Sequence, residues 1–152
     1  MMPMGSHRFW SQRRVLVTGG TGFIGSHVCR RIAEAGGKVY ATSRTRTGVD
    51  DGITWVKADF SDIAAARATI ADVRPSVVYH FAGSVGAAPE LKLVVPTFHS
   101  LLTSTVNALT AAAEAGCERI VLPGSLTEAL PGEAPPVPRS PYAADKWAAC
   151  AY

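Results

Sequence analysis

Charge is in short supply in this chain. Charged residues make up 18% and the net charge is +3, an excess too small to argue for a nucleic-acid partner or a membrane surface. No apolar run is long enough to span a bilayer. Met1 to Arg14 lacks the apolar core of a signal peptide, so residues 1–13 read as a flexible lead-in. Cysteine is scarce. Cys29, Cys117 and Cys150 are odd in number and stand at no metal-ligand spacing, which points to reduced thiols, a cytoplasmic setting and no metal site. Internal repeats and low-complexity stretches are missing as well. What is plentiful is apolar residues, at 47% of 152. That suffices for one domain with a real core, over residues 14–152.

The chain is organised around Val15-Leu16-Val17-Thr18-Gly19-Gly20-Thr21-Gly22-Phe23-Ile24-Gly25-Ser26-His27. An apolar run stops at a glycine cluster, and a helical pattern follows in which Ile24, Val28, Ile32 and Ala33 share a face. This is strand, tight turn, helix. Such a turn needs positive φ and a site without Cβ where a ligand can approach the backbone. The helix start adds unpaired N–H groups and a positive dipole end, which together suit a pyrophosphate. Two glycine spacings overlap here, Gly20-x-Gly22-x-x-Gly25 and Gly19-x-x-Gly22-x-x-Gly25, so spacing alone does not choose between dinucleotide-binding families. A purely structural glycine turn is the competing account.

Strand-like and helix-like runs then alternate, as in a parallel sheet with crossover helices. The first helix stops at Ala35-Gly36-Gly37. Lys38 to Thr42 is a second strand, and at its end a ribose-binding acid is expected. The sequence has Ser43-Arg44-Thr45-Arg46 instead. A serine and an arginine suit a 2′-phosphate, so NADP is favoured and NAD remains possible. A solvated basic loop is the plainer account. Thr47 to Gly52 is polar and turn-rich. Ile53 to Ala58 is the third strand, ending at Asp59-Phe60. Asp59 suits an adenine amino group, and either Asp59 or Ser61 suits the cap of a helix from Asp62 to Val73.

Ser76 to Phe81 is a fourth strand that runs into Ala82-Gly83-Ser84. Small residues there let a cofactor cross the sheet. His80 reads as a strand histidine. Gly86 to Pro96 reads as loop, and Thr97 to Ala115 as one long helix closed by Gly116. Its stripe Leu101, Leu102, Val106, Leu109 and Ala113, with Ala108, Ala111 and Ala112 around it, exceeds what one sheet face needs. Glu118 to Leu122 is the fifth strand, ending Pro123-Gly124-Ser125-Leu126-Thr127. The prolines at 131, 135, 136, 138 and 141 exclude a helix through 128–141. Ser140-Pro141 opens the last helix. On it Tyr142 and Lys146 stand four apart, on one face. An ammonium beside a phenol stabilises the phenolate and makes tyrosine a usable acid/base.

Together these motifs resemble the N-terminal, cofactor-binding half of an extended short-chain dehydrogenase/reductase, the group of sugar-nucleotide epimerases, dehydratases and ketoreductases. The resemblance runs from about Arg14 onward. Thr18 to Gly25 matches the phosphate turn, which implies cofactor contacts at Gly19, Thr21, Gly22, Phe23, Ile24 and Gly25. Asp59-Phe60 matches the adenine contact. His80-Phe81-Ala82-Gly83 matches the fourth strand's end and is close to the form in UDP-glucose 4-epimerases, which adds Phe81, Ala82 and Gly83. Ser43 and Arg44 fall at the ribose. Ser125, Tyr142 and Lys146 match the catalytic serine or threonine, tyrosine and lysine, with Thr127 as a second hydroxyl near Ser125. Tyr142 and Lys146 also belong to the cofactor set. The departures are Ser43 for an acid, Ser100 for the usual asparagine, and Pro123-Gly124 for the commoner Ser-Ser. The loop from Ser125 to Tyr142 is short for the epimerases.

The resemblance implies a Rossmann-type α/β fold, a doubly wound parallel sheet. Family members continue past the last helix with a substrate-binding region, so these residues are expected to supply the cofactor half. The expected activity is NAD(P)-dependent hydride transfer at a carbon bearing oxygen in a nucleotide sugar. A non-catalytic NADP-binding sensor or scaffold, and a reductase of small aromatic or polyketide ketones, fit the same motifs. Related enzymes pair through two helices per subunit, so the helices from Thr97 and Tyr142 are expected to build a homodimer.

Overall fold

The run Val15-Leu16-Val17 carries no polar side chain, and a strand without alternation belongs inside a sheet covered on both faces. A computed structural model of the chain describes residues 9–11, 13–86, 88–128 and 137–152. It places this run in β1 (Arg14–Thr18), where all three side chains are fully buried. The other strands are β2 (Lys38–Ser43), β3 (Gly48–Asp50), β4 (Ile53–Lys57), β5 (Val77–His80) and β6 (Arg119–Val121). Their order across the six-stranded sheet is β3-β4-β2-β1-β5-β6. All neighbours are parallel except β3 and β4. The chain steps from β1 outward to β2 and β4, then returns to β5 on β1's other flank. The β1/β5 boundary is therefore the switch point, where ligands of open α/β sheets bind.

Alternation along β1 sorts the core into two halves. Val15 and Val17 face α1 (Phe23–Glu34) and pack with Cys29, Ile32, Val39, Ala41 and Trp55. Leu16 faces the other way, toward α2 (Ile63–Val73), and packs with Ala66, Ile70, Val78, Ala108 and Ala112. The buried face of α1 is Gly25, Cys29 and Ile32. Ile24, assigned to the core face by its spacing, is 53% exposed, because the helix is turned so that Gly25 meets the glycine turn.

Several expected boundaries change. The stretch 47–52 contains β3, an antiparallel partner of β4. Asp51 and Gly52 take positive φ of 50° and 75°, the two-residue hairpin geometry that Asp-Gly favours. Helical structure begins well before Thr97. A short 3₁₀ turn (Leu91–Leu93) leads into α3 (Val94–Thr97), a π-helical stretch (Phe98–Thr103) and α4 (Ser104–Glu114). Pro96 is tolerated because it lies in the first turn of α3, where its missing N–H has no helical partner to lose. The helix cap is Asp62, whose carboxylate accepts from Ala64 N at 2.8 Å; neither Asp59 nor Ser61 serves. Ala108, Ala111, Ala112 and Leu101 are buried within the chain itself, so they are not free to form a partner face. Leu102, Val106 and Leu109 are half-buried and Ala113 is exposed.

Most of the lead-in and residues 129–136, with Pro131, Pro135 and Pro136, lie outside the described residues. Where the lead-in is described it touches the domain. Trp10 packs against the first core, and the Arg13 guanidinium sits 4.3 Å over the Phe9 ring and pairs with Glu118 at 2.6 Å. The last helix, α5 (Pro141–Ala149), is capped by Ser140, whose Oγ accepts from Ala143 N at 3.1 Å. Among the described residues no helix is long and apolar enough to cross a membrane.

Candidate cofactor and active site

The glycine turn takes its shape from close backbone packing. Gly19 has φ +65°, and a Cβ there would lie 2.8 Å from the backbone of Phe81 and Ala82. A Cβ at Gly25 would collide with Gly19 O. The turn thus wedges between the ends of β1 and β5 and the start of α1. Gly22 N donates to Gly19 O at 2.9 Å. Gly22 also stands at the N-cap of α1, where no side chain caps the helix and the first turn holds no acid. The first-turn N–H groups are left for a ligand, and the turn itself sets no negative charge against an anion.

From this turn a groove of about 560 Å³ runs across the switch point. Gly19, Thr21 and Gly22 border it at one side, Ser43, Arg44, Asp59 and Phe60 at another, and Phe81, Ala82, Gly83 and Ser100 along its length. The structure therefore brings these eleven sequence-predicted residues to one place. Phe23 and Ile24 lie beside it and are exposed, while Gly25 lies beneath the turn.

The polar groups of the groove are held from within. Ser43 Oγ accepts from Thr45 N and Arg46 N, both at 3.2 Å. Arg46 turns away, stacking 4.0 Å over Trp55 and pairing with Asp50 at 2.6 Å. Arg44 borders the groove as an exposed cation. Asp59 Oδ1 accepts from Ser61 N at 2.9 Å and Ser61 Oγ at 2.8 Å. Those two bonds, with Arg44 nearby, hold the Asp59 carboxyl below its ordinary value. Asn107 on α4 donates to Phe60 O at 2.9 Å and Ser61 O at 3.1 Å. Ser100 Oγ accepts from Ser84 N at 3.2 Å.

His80 is 2% exposed. Its Nδ1 lies 2.8 Å from Thr18 Oγ1 and its Nε2 lies 3.3 Å from Ser104 Oγ. Burial, with the Lys146 ammonium adding repulsion, pushes the imidazole down to about 4. His80 is thus a neutral strand histidine at physiological pH, as its position in the sequence suggested. Thr18, Ser104 and Asn107 were not singled out by sequence reasoning. The visible signal was a hydroxyl at the end of β1 and polar residues on an otherwise apolar helix.

Ser125, Tyr142 and Lys146 lie outside the lining of the groove. Lys146 Nζ is 6.0 Å from the centre of the Tyr142 ring and donates to Pro123 O at 3.1 Å. The lysine therefore ties α5 to the loop that carries Ser125, and burial pushes its ammonium below the ordinary value. Ser125 Oγ is 2.8 Å from Thr127 Oγ1, so the two candidate hydroxyls form one pair.

Comparison with known proteins agrees with this geometry. Residues 15–152 match the model of the NAD dependent epimerase/dehydratase family. A UDP-glucose 4-epimerase of Azospirillum brasilense is 34% identical over 149 residues, which span 88% of this chain and 41% of that protein. A crystal structure of the Thermus thermophilus UDP-glucose 4-epimerase in complex with NAD is 33% identical, with a TM-score of 0.78 over 91% of this chain and 49% of that one. The Bordetella bronchiseptica enzyme WbmG, solved with NAD and UDP, shares the fold at 21% identity and a TM-score of 0.75. The chain spans about half the length, or less, of these relatives. A Rossmann-type sheet with its glycine turn at the switch point, matched over nearly its whole length by one family model, belongs to the NAD dependent epimerase/dehydratase family.

Proposed function

We propose that this chain is the cofactor half of an NAD(P)-dependent oxidoreductase that epimerises, dehydrates or reduces a nucleotide sugar. The observation that carries the reading is the groove from Gly19 to Ser100, which crosses the β1/β5 switch point beside the uncapped start of α1. The helix start at its edge has no side-chain cap and no acid in its first turn, so the residues present fit the pyrophosphate of a dinucleotide laid across the strand ends. Thr21, Gly22, Phe23 and Ile24 would hold the pyrophosphate, and Asp59 with Phe60 the adenine. Ser43 and Arg44 would hold a 2′-phosphate, which makes NADP the preferred form. Phe81, Ala82, Gly83 and Ser100 would support the nicotinamide side.

When bound, the cofactor supplies hydride exchange at a carbon bearing oxygen. Tyr142 moves the proton on that oxygen. Lys146 stabilises the phenolate and holds the nicotinamide ribose. Ser125 donates to the substrate oxygen and orients it, with Thr127 fixing the serine hydroxyl. The relatives are named as UDP-glucose 4-epimerases, so UDP-glucose is the first substrate to try. The test is turnover of UDP-glucose by the complete protein with Tyr142→Phe beside the wild type. The variant keeps the ring and loses the proton carrier, so turnover falls by about 10²–10⁴-fold while cofactor affinity is kept. Near-normal turnover would remove Tyr142 from the mechanism and favour a sensor or scaffold.

The protein also works as a homodimer in this reading. Val94, Val95, Phe98 and Trp147 are 42%, 62%, 46% and 45% exposed. The first three line a groove of about 290 Å³ where α3 and the π-helical stretch meet α5. An apolar surface shared by two helices is the kind that a second copy covers.

A further inference from the structure

One buried hydrogen-bonded chain crosses the switch point and is used by none of the steps above. Thr18 Oγ1 receives two backbone N–H groups at 3.1 Å, that of Ala82 and that of Phe81, the latter shared with Thr18 O at 3.2 Å. An N–H cannot accept, so both of these groups approach the oxygen as donors and neither can take its hydrogen. Its single hydrogen is left for His80 Nδ1 at 2.8 Å. Nδ1 is then the acceptor of the ring, and the ring proton sits on Nε2. Nε2 faces Ser104 Oγ at 3.3 Å. Ser104 in turn donates backward within its own helix, to Ser100 O at 2.6 Å, with Leu101 O at 3.1 Å as a second acceptor. Every donor in the chain points the same way, which strengthens each bond in a buried setting.

Both ends of this chain reach the same strip of groove. The Thr18 end holds the amides of Phe81 and Ala82. The Ser104 end holds the π-helical turn that carries Ser100, and Ser100 holds the amide of Ser84. Between them lies Gly83, where a Cβ would strike Leu101 of that turn. A π-helical stretch is an irregularity that needs support from outside the helix's own ladder, and such stretches gather at working sites.

We propose that His80 is a positioning residue. Accepting from Thr18 and donating to Ser104, it sets the height of the π-helical turn against the end of β5 and so fixes the 81–84 backbone and Ser100 as one floor. The proposal rests on the reading of this groove as a dinucleotide site. It assigns the imidazole no contact with substrate or cofactor.

The experiment uses wild type, His80→Asn, His80→Phe and Ser104→Ala. Without ligand, imidazole nitrogen shifts report the tautomer, and backbone amide shifts report each arm. The wild-type ring is expected with its proton on Nε2. Asparagine offers an oxygen near the position of Nδ1 and does not reach Ser104. It should therefore keep native Phe81 and Ala82 amides while displacing those of Ser84 and Ser100. Phenylalanine should displace both sets, and Ser104→Ala the Ser84 and Ser100 set alone. With NADPH added, the order of affinity should be wild type, then Ser104→Ala and His80→Asn, then His80→Phe, with a loss of about tenfold or more at the last. A purely space-filling histidine would lower stability and leave the affinity and arm-specific shifts of folded variants unchanged. That result, or a ring proton on Nδ1, overturns the proposal. Failure of the wild type to bind any dinucleotide overturns the functional reading, while the tautomer and ligand-free shifts still judge the positioning claim.

Discussion

His80 carries the clearest consequence at the scale of single residues. Burial moves its pKa from the usual 6.5 to about 4. The unfolded ring takes a proton as pH falls through 6.5, and the folded ring resists until about 4. Stability from the neutral ring is therefore whole above 6.5 and drains away between 6.5 and 4, by about 3 kcal/mol. Asp59 acts in a lower window. Its lowered carboxyl adds stability above its ordinary 3.8, lost as pH falls below that value. Urea unfolding at pH 7 and pH 4.5 separates the two. Wild type should lose most of the His80 share between those pH values, and His80→Phe should lose little of it. Equal losses would mean that the ring is protonated, or exposed, in the folded protein.

At the scale of elements, the turn and α1 depend on one another through Gly25. Alanine there would set a Cβ against Gly19 O and 3.1 Å from Gly20 Cα. Either α1 lifts or the turn opens, at a cost of about 1–3 kcal/mol. Gly25→Ala should thus lower the melting temperature and weaken dinucleotide binding together; a variant that binds as wild type would show that the packing is loose. This element was legible because strand, glycines and helix signals agree on one local answer. So were β5 with its small-residue exit and α5 with its serine cap and proline. The hairpin of β3 was missed although Asp51-Gly52 is a turn signal, because Gly48–Asp50 is too short and too exposed to show an apolar pattern. The early start at Leu91 and the π-helical stretch were illegible for a different reason. The contact of Ser104 with His80 and the packing of Leu101 against Gly83 bear on that backbone, and neither is a local property. Tyr142 and Lys146 were readable as a pair, but their absence from the groove lining goes with the packing of α5 on the π-helical stretch, which is tertiary.

At the scale of the whole molecule, two surfaces remain to be tested. The first is the apolar groove between α3, the π-helical stretch and α5. Sedimentation at tens of micromolar should give a dimer for wild type and a monomer for Phe98→Arg, which places charge on the exposed rim rather than in the core. Wild-type monomer, or a dimer indifferent to that charge, would refute the assembly. The second surface is the dinucleotide groove itself. Its most direct test is calorimetric titration of wild type and Arg44→Ala with NADPH and with NADH. Wild type should bind both and prefer NADPH. The variant should lose about 1.5–3 kcal/mol toward NADPH, roughly 10- to 150-fold, and nothing toward NADH. No binding of either dinucleotide by wild type would contradict the groove's assignment, and equal wild-type affinities would contradict a 2′-phosphate site at Ser43 and Arg44.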